Sequence, residues 1–350
     1  MRERLAVYEW CCSGGASRAT AVTNGLSETI RAEGRAMFLA VLRDARRDPR
    51  LLVTAILDEH GPVSSTELPT EVAVIRTNGQ RHDECLAESA RGHDWMFLVA
   101  PETDGELSRL ASLARDAGGR LPLPSAGFID LASNKHASLL AVAAAGLPVP
   151  AGRLLAPGEC LPPGFRLPAA RKQNGSAGCD GLVRVEMADG ASHAASTWER
   201  AEYWQPGRPV GVAVLCGPEC VCTLPPCEQK FEGCREPVYT GGRLLADAGP
   251  IARAKSLALR AVTALAKRSA PASGWVGVDM ILGERSDGKD DRVLEVNPRL
   301  TTSFIGLSAG AGGGIVRTIL DITAGLKRRP DHVFNPFVFT TAGEVSCDAR

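Results

Sequence analysis

Residues 275–306 read WVGVDMILGERSDGKDDRVLEVNPRLTTSFIG. Two aliphatic, β-branched runs, Val276 to Leu282 and Arg292 to Val296, are separated by the polar string GERSDGKDD, so the stretch predicts two strands joined by a hairpin turn. Asp279 lies inside the first strand and Glu295 closes the second. Asn297 follows on the same face as Glu295, because strand side chains repeat every two residues. On its own, an acid in an apolar strand beside a turn is more often simply hydrogen-bonded, since buried acids are rare unless paired. Here two carboxylates and an amide oxygen converge, a donor set suited to Mg²⁺, which keeps waters and is held by one or two carboxylates together with nucleotide phosphates.

The strings VGVDMIL and LEVNPR together resemble the metal-binding end of the ATP-grasp ligases, whose pattern is an acid on one strand and Glu-x-Asn on the next. That directs attention upstream. The segment SNKHASLLAVAAAGLPVP is similar to the family's Asn-Lys helix followed by Gly-x-Pro-x-Pro. Asn134, Lys135 and His136 open the helix, and Gly146 ends it ahead of Pro148 and Pro150. Alone, Lys135 reads as a solvated first-turn lysine; the resemblance makes it a ligand of the nucleotide phosphates. Lys172 ends a short apolar strand and is followed by QNGSAGCDG. Small residues let backbone N–H groups approach phosphate oxygens, and an ammonium group neutralises their charge, although Gly and Ser also fill ordinary hairpins. The resemblance implies that Gly175, Ser176, Ala177 and Gly178 cover the β- and γ-phosphates. It further implies that Glu202, Tyr203 and Trp204, in ERAEYWQPG, form the hinge that holds adenine by backbone groups. Pro209 stands where many relatives have a ribose-binding glutamate.

Strand and helix alternate before this region. LAVY (5–8), LLVTAILD (51–58), VAVIR (72–76) and WMFLVAPE (95–102) read as strands, with helical stretches from Leu26, where Ser27 is the expected cap, and near 83–91 and 104–117. Such alternation implies a parallel sheet, and no Gly-x-Gly-x-x-Gly follows the first strand to favour a dinucleotide. Later, Gln229 and Lys230 are expected to be exposed strand residues, and residues 251–268 an amphipathic helix backing the sheet of Asp279 and Glu295. The expected fold is therefore α/β, of the ATP-grasp type. It comprises a Rossmann-like parallel-sheet domain (1–125), then two α+β subdomains, central (126–200) and carboxyl-terminal (201–350), that clasp ATP.

With 350 residues, 44% of them hydrophobic and 23% charged, the chain can bury a full core. Forty basic and forty acidic side chains cancel, which removes the long-range field that recruits nucleic acid or an anionic membrane. No apolar run reaches bilayer length and the start is too weakly apolar for a signal peptide, so a cytoplasmic enzyme is expected. Five of the eleven cysteines fall between Cys216 and Cys234; they lack paired Cys-x-x-Cys knuckles and read as incidental thiols rather than a zinc site. The six histidines have no metal or triad spacing.

The resemblance implies ATP-dependent joining of a carboxylate to an amine through an acyl phosphate, with release of ADP and phosphate. ATP and Mg²⁺ or Mn²⁺ are the implied cofactors, small-molecule acids and amines the partners, and a homodimer is compatible. Asp279, Glu295 and Asn297 would hold the metal, and Lys135 and Lys172 the phosphates. Arg299 would stabilise the acyl phosphate or anchor the acid, since a guanidinium holds such oxygens bidentately. EYWQPG, GWVGVDMILG and LEVNPRLTTSFIGL are similar to the tyramine-glutamate ligase branch, which works in methanofuran biosynthesis. D-Alanine-D-alanine-like ligation, or a nucleotide-binding regulator without ligation, are the alternative readings.

Overall fold

The computed structural model describes residues 2–20, 28–177, 181–187, 193–327 and 331–347; Leu26, Ser27 and Gly178 lie outside them. The alternation at the start of the chain becomes β1 (Glu3–Glu9), α1 (Gly15–Thr20), α2 (Glu28–Arg46), β2 (Leu51–Asp58), β3 (Ala73–Thr77), α3 (His82–Gly92), β4 (Trp95–Val99) and α4 (Glu106–Asp116). The four strands are parallel and lie in the order β3-β2-β1-β4. From β1 the chain first proceeds to one side and then returns to place β4 on the other. The carboxyl ends of β1 and β4 therefore flank the switch point at which open parallel sheets bind their ligands.

A second sheet follows α5 (Ala126–Ser133) and α6 (Lys135–Ala144). It comprises β5 (Gly152–Leu155), β6 (Ala169–Gln173), β7 (Val183–Val185) and β8 (Glu199–Tyr203), antiparallel in the order β5-β8-β6-β7. The start of α6 is fixed by Asn134, whose side chain accepts a hydrogen bond from the Ala137 N–H at 2.9 Å. Its end is fixed by Gly146, at φ +76°, a left-handed turn that glycine enters without steric cost.

The remainder forms β9 (Arg208–Cys216), β10 (Val221–Thr223), β11 (Cys227–Glu232), β12 (Val238–Leu244), α7 (Ala248–Arg268), β13 (Gly274–Leu282), β14 (Arg292–Asn297), α8 (Ser303–Gly310), α9 (Ile315–Thr323), β15 (Phe337–Thr340) and β16 (Val345–Cys347). The strands make one sheet in the order β14-β13-β9-β11-β12-β15-β16, with β10 paired to β9. Alternation along β9 serves two cores at once. Val210, Val212 and Val214 pack on α7 through Ala254, Leu257, Ala258, Ala261 and Val262. Ala213 and Leu215 join a second core containing Leu5, Val7, Phe38, Leu42, Trp275, Phe304 and Ile319. That second core spans the amino-terminal sheet, α2 and the last two helices. Each fully buried Leu, Ile or Phe in it contributes about 1.5–3 kcal/mol. Among the described residues no single helix is long and apolar enough to cross a membrane; α8 and α9 pass only as a pair bent by 106°.

Candidate active site

The expected hairpin is present. In the antiparallel pairing of β13 with β14, Asp279 lies opposite Glu295 and Gly277 opposite Asn297, with a register shift just after Asp279. The Asn297 amide donates to Asp279 Oδ2 at 2.8 Å and the Gln229 amide to Oδ1 at 2.8 Å. Gln229, read from sequence as an exposed strand residue, thus belongs to the acid cluster, because β11 and β13 flank β9. Lys230 does face solvent, paired with Glu232. Burial, and then the charge of Glu295, push Asp279 up to about 6. Two facing carboxylates, Asp279 and Glu295, with side-chain amides beside them, form a donor set that fits a hard divalent cation. Among the described residues no cluster of three or more His, Cys, Asp or Glu is arranged as a metal site, so the set is a carboxylate pair with amide support.

Both lysines reach β14. Lys135, only 2% exposed, sets Nζ 3.0 Å from Glu295 Oε1 and also donates to the Ser176 carbonyl. Lys172 donates to the Leu294 carbonyl at 3.0 Å and pairs with Glu202 Oε1 at 2.8 Å. The loop after Lys172 is pinned at both ends of its described part. Asn174 accepts from the N–H groups of Lys135 and His136 at the start of α6, and the Ala177 N–H donates to Thr103 Oγ1 at 3.2 Å. Gly175 is exposed and Ser176 Oγ donates to the Gln173 carbonyl.

At the hinge, the Glu202 carboxylate is occupied by Lys172 and by Arg200, whose Nε lies 2.6 Å from Oε2. Its visible work is to position Lys172. The Tyr203 N–H donates to the Ala151 carbonyl and the Trp204 N–H to the Pro168 carbonyl, while the Tyr203 carbonyl accepts from Gln205 Nε2 at 2.7 Å. The Arg184 guanidinium lies 4.6 Å from the Trp204 ring centroid. Both N–H groups are thus spent within the protein, and the Tyr203 carbonyl is already engaged by Gln205.

Arg299 is surrounded by acids that sequence reading did not assign. Its Nε donates to Glu102 Oε2 at 2.7 Å and its Nη1 to the Leu300 carbonyl at 3.2 Å. Burial works against the guanidinium charge, but Glu102, Glu295 and Glu33 outweigh it and hold Arg299 above its ordinary value. Glu9, at the end of β1, is 4% exposed and accepts from the Cys12 N–H at 2.9 Å. Glu33 on α2 lies 3.5 Å from Thr302 Oγ1. The helix can approach Glu9 because residue 34 is glycine; a Cβ there would sit 2.4 Å from Glu9 Oε1. One available signal was that Glu9 and Glu102 close the LAVY and WMFLVAPE strands, the edge at which parallel sheets place ligand-binding groups.

Burial pushes both Glu9 and Glu33 up to about 7. For Glu9, whose ordinary value is 4.5, the folded chain holds the proton more tightly than the unfolded one. Stability is therefore full below that value, and falls as pH rises through about 7. Glu9→Gln should leave the unfolding free energy from urea titration unchanged at pH ~4 and raise it at pH ~8, by at most about 3 kcal/mol. Equal values for variant and wild type at both pH values would contradict this burial account.

Residues 132–303 match the model of the ATP-grasp domain and residues 51–125 that of a pre-ATP-grasp domain. The chain carries an ATP-grasp domain. Its fold is shared by an ATP-grasp superfamily protein from Archaeoglobus fulgidus, at 20% identity and TM-score 0.68 over 97% of this chain and 92% of that one. It is also shared by the biotin carboxylase of Campylobacter jejuni solved as a complex with β-γ-ATP, at 14% identity and TM-score 0.69 over 97% of this chain and 75% of that one. The L-amino acid ligase of Bacillus licheniformis aligns at 16% identity and TM-score 0.66 over 96% of this chain and 79% of that one. No curated protein sequence matches the chain. The ATP-grasp architecture expected from sequence is thus present, with a parallel amino-terminal sheet and antiparallel sheets after it.

Proposed function

We propose that the protein is an ATP-dependent carboxylate–amine ligase, with residues 1–125, 126–200 and 201–350 as its amino-terminal, central and carboxyl-terminal parts. One observation carries the reading. Lys135 Nζ, from the helix after the first domain, lies 3.0 Å from Glu295 Oε1 on β14, so a phosphate-binding cation from the helix and a metal-binding acid from the strand meet at one point. A buried lysine against a buried acid needs no nucleotide to be stable, but two such lysines converging on β14 beside a second acid is an arrangement that anionic oxygens and a divalent ion would complete.

In this reading Asp279, Glu295 and Asn297 hold Mg²⁺ or Mn²⁺, which when bound neutralises phosphate charge. Lys135 and Lys172 contact the phosphates, and Gly175, Ser176 and Ala177 lie over them. Glu202 fixes Lys172, and the Tyr203–Trp204 backbone faces the purine. The γ-phosphoryl group passes to a carboxylate oxygen as its bond to ADP breaks. The amine lone pair then attacks the acyl carbon, phosphate leaves with the C–O bonding electrons, and the amine's surplus proton is released. Arg299 steadies the acyl phosphate. The protein's work is positioning and electrostatics. The similarity of EYWQPG and LEVNPRLTTSFIGL to the tyramine-glutamate ligases makes glutamate and tyramine the first pair to try.

The test is an array of acids and amines scored for ADP release, with hydroxylamine as a trap for the acyl phosphate. ADP formation that requires an acid, together with hydroxamate formation from that acid, is the expected result. Acid-independent ATP turnover, or none with any pair, would count against ligation.

A further inference from the structure

The acids around Arg299 do more than the ligase reading asks of them. Metal and phosphates are accounted for by Asp279, Glu295, Asn297 and the two lysines, and Arg299 needs one counter-charge, which Glu102 Oε2 supplies at 2.7 Å. Glu9 and Glu33 are additional, and both act on Arg299 through their charge. The nearby Arg35 is engaged by Glu67. All three carboxylates thus act on the guanidinium of Arg299. Burial holds Glu9 and Glu33 up at about 7, as expected of acids lacking sufficient positive charge.

A second, independent observation points to a ligand. Glu102 is 5% exposed, and its Oε1 is a buried acceptor with no hydrogen-bond partner among the described residues. A buried carboxylate oxygen left unsatisfied costs several times an ordinary hydrogen bond. Its place in the fold gives the orphan a purpose. Glu9 and Glu102 stand at the carboxyl ends of β1 and β4, the neighbouring strands that bound the switch point of the parallel sheet. Arg299 brings the acyl-transfer side of the site to the same place. Glu102 Oε2 already accepts from Arg299, and the Glu9 carboxylate from the N–H groups of Cys11 and Cys12 and the Cys12 thiol, so the acceptor left wholly unused is Glu102 Oε1. That acceptor matches an ammonium group, which has three donors and no acceptor.

We infer that Glu9, Glu33 and Glu102 form the pocket for the amine substrate, taken up as a primary ammonium cation whose N–H groups satisfy Glu102 Oε1. This deepens the ligase reading and rests on it. It also predicts selectivity: an amine without a carboxylate of its own relieves the excess negative charge, whereas a zwitterionic amino acid does not.

The experiment is calorimetric or NMR-detected binding of phenethylamine and of phenethyl alcohol to the whole chain at neutral pH, in wild type, Glu102→Gln and Glu33→Gln. The alcohol keeps the chain and the ring and loses the charge. Wild type should prefer the amine by about tenfold or more, the size of a charged hydrogen bond, and the preference should shrink to about twofold or less in at least one variant. Equal binding of amine and alcohol by wild type overturns the inference whether or not the variants fold, and so does a preference that survives in both variants. Hydroxamate trapping, which needs no ammonium pocket, judges the ligase reading separately. Trapping without an amine preference sinks the pocket alone; a preference without trapping leaves an ammonium-binding site but sinks the ligase reading and, with it, the assignment of that site to the amine substrate.

Discussion

Asp279→Asn is expected to lower acid-dependent ADP release by about a thousandfold, the several kcal/mol that a metal-held phosphoryl transfer draws from its charge clamp, while leaving the chain folded. Asparagine keeps the volume of the side chain: its oxygen accepts from one of the two amides, of Gln229 and Asn297, that bond Asp279 on either side, and the other amide turns over to offer its oxygen to the new NH2 group. What it removes is the negative charge facing Glu295. The same charge is a burden on folding, since burial and Glu295 push Asp279 from 3.8 up to about 6. The folded chain therefore binds this proton more tightly than the unfolded one. The corresponding stability is present below the unfolded value and is lost as pH rises through about 6. With no divalent ion added, the asparagine variant should be as stable as wild type in acid and more stable at pH ~8, by at most about 2–3 kcal/mol. Slower turnover in a sturdier protein is the signature of a residue kept for chemistry. Turnover within a few-fold of wild type would remove Asp279 from the site, and a less stable variant at alkaline pH would refute the electrostatic account.

What could be read in the chain and what could not divides along a physical line. Asp279 and Glu295 are legible because polar atoms in period-two apolar strands are costly, and the hairpin between them fixes their register locally. Lys135 is legible because Asn134 caps the helix it opens and Gly146 closes it. Gln229 was not legible. Its strand alternates too, but periodicity assigns a side chain to a face without saying that the face holds Asp279, which depends on β9 lying between β11 and β13. Glu33 reads as the polar side of an amphipathic helix and is half-buried only because Thr302 and Arg299 arrive from the far end of the chain. Glu102 and Arg299 lie 197 positions apart, and no local rule brings them together. The hinge shows a third kind of shortfall. Its place was legible, but which of its groups are spent inside the sheet depends on the strands that flank it.

Asp44→Ala should be the most destabilising single substitution away from the site, costing about 3–4 kcal/mol in urea denaturation, because it strands three donors in the interior. Asp44 is on α2 and is 1% exposed. Its carboxylate accepts from Ser308 Oγ at 2.6 Å, the Ile315 N–H at 3.2 Å and the Val316 N–H at 2.8 Å. The last two belong to the first turn of α9, a helix that follows GAGGG and has Gly314 as its N-cap, with no side chain to cap it. Helix starts need acceptors for their free N–H groups, and here the acceptor is contributed by a residue 271 positions earlier. Asp44 therefore does two jobs at once. It caps α9, and it ties the first domain's main helix to the helix pair that follows Arg299, which bears on how firmly Arg299 is held against Glu102. Asp44→Asn retains one acceptor oxygen and loses the charge, so it should fall between alanine and wild type. Burial raises the protonation of Asp44 in spite of its donors, so acid by itself should not release the tie through this group. The alanine variant should also bind phenethylamine more weakly, because loosening α2 displaces Glu33 as well. A loss of less than about 1 kcal/mol, with amine binding intact, would mean that solvent caps α9 as well as Asp44 does and that the domains are joined by the shared apolar core alone.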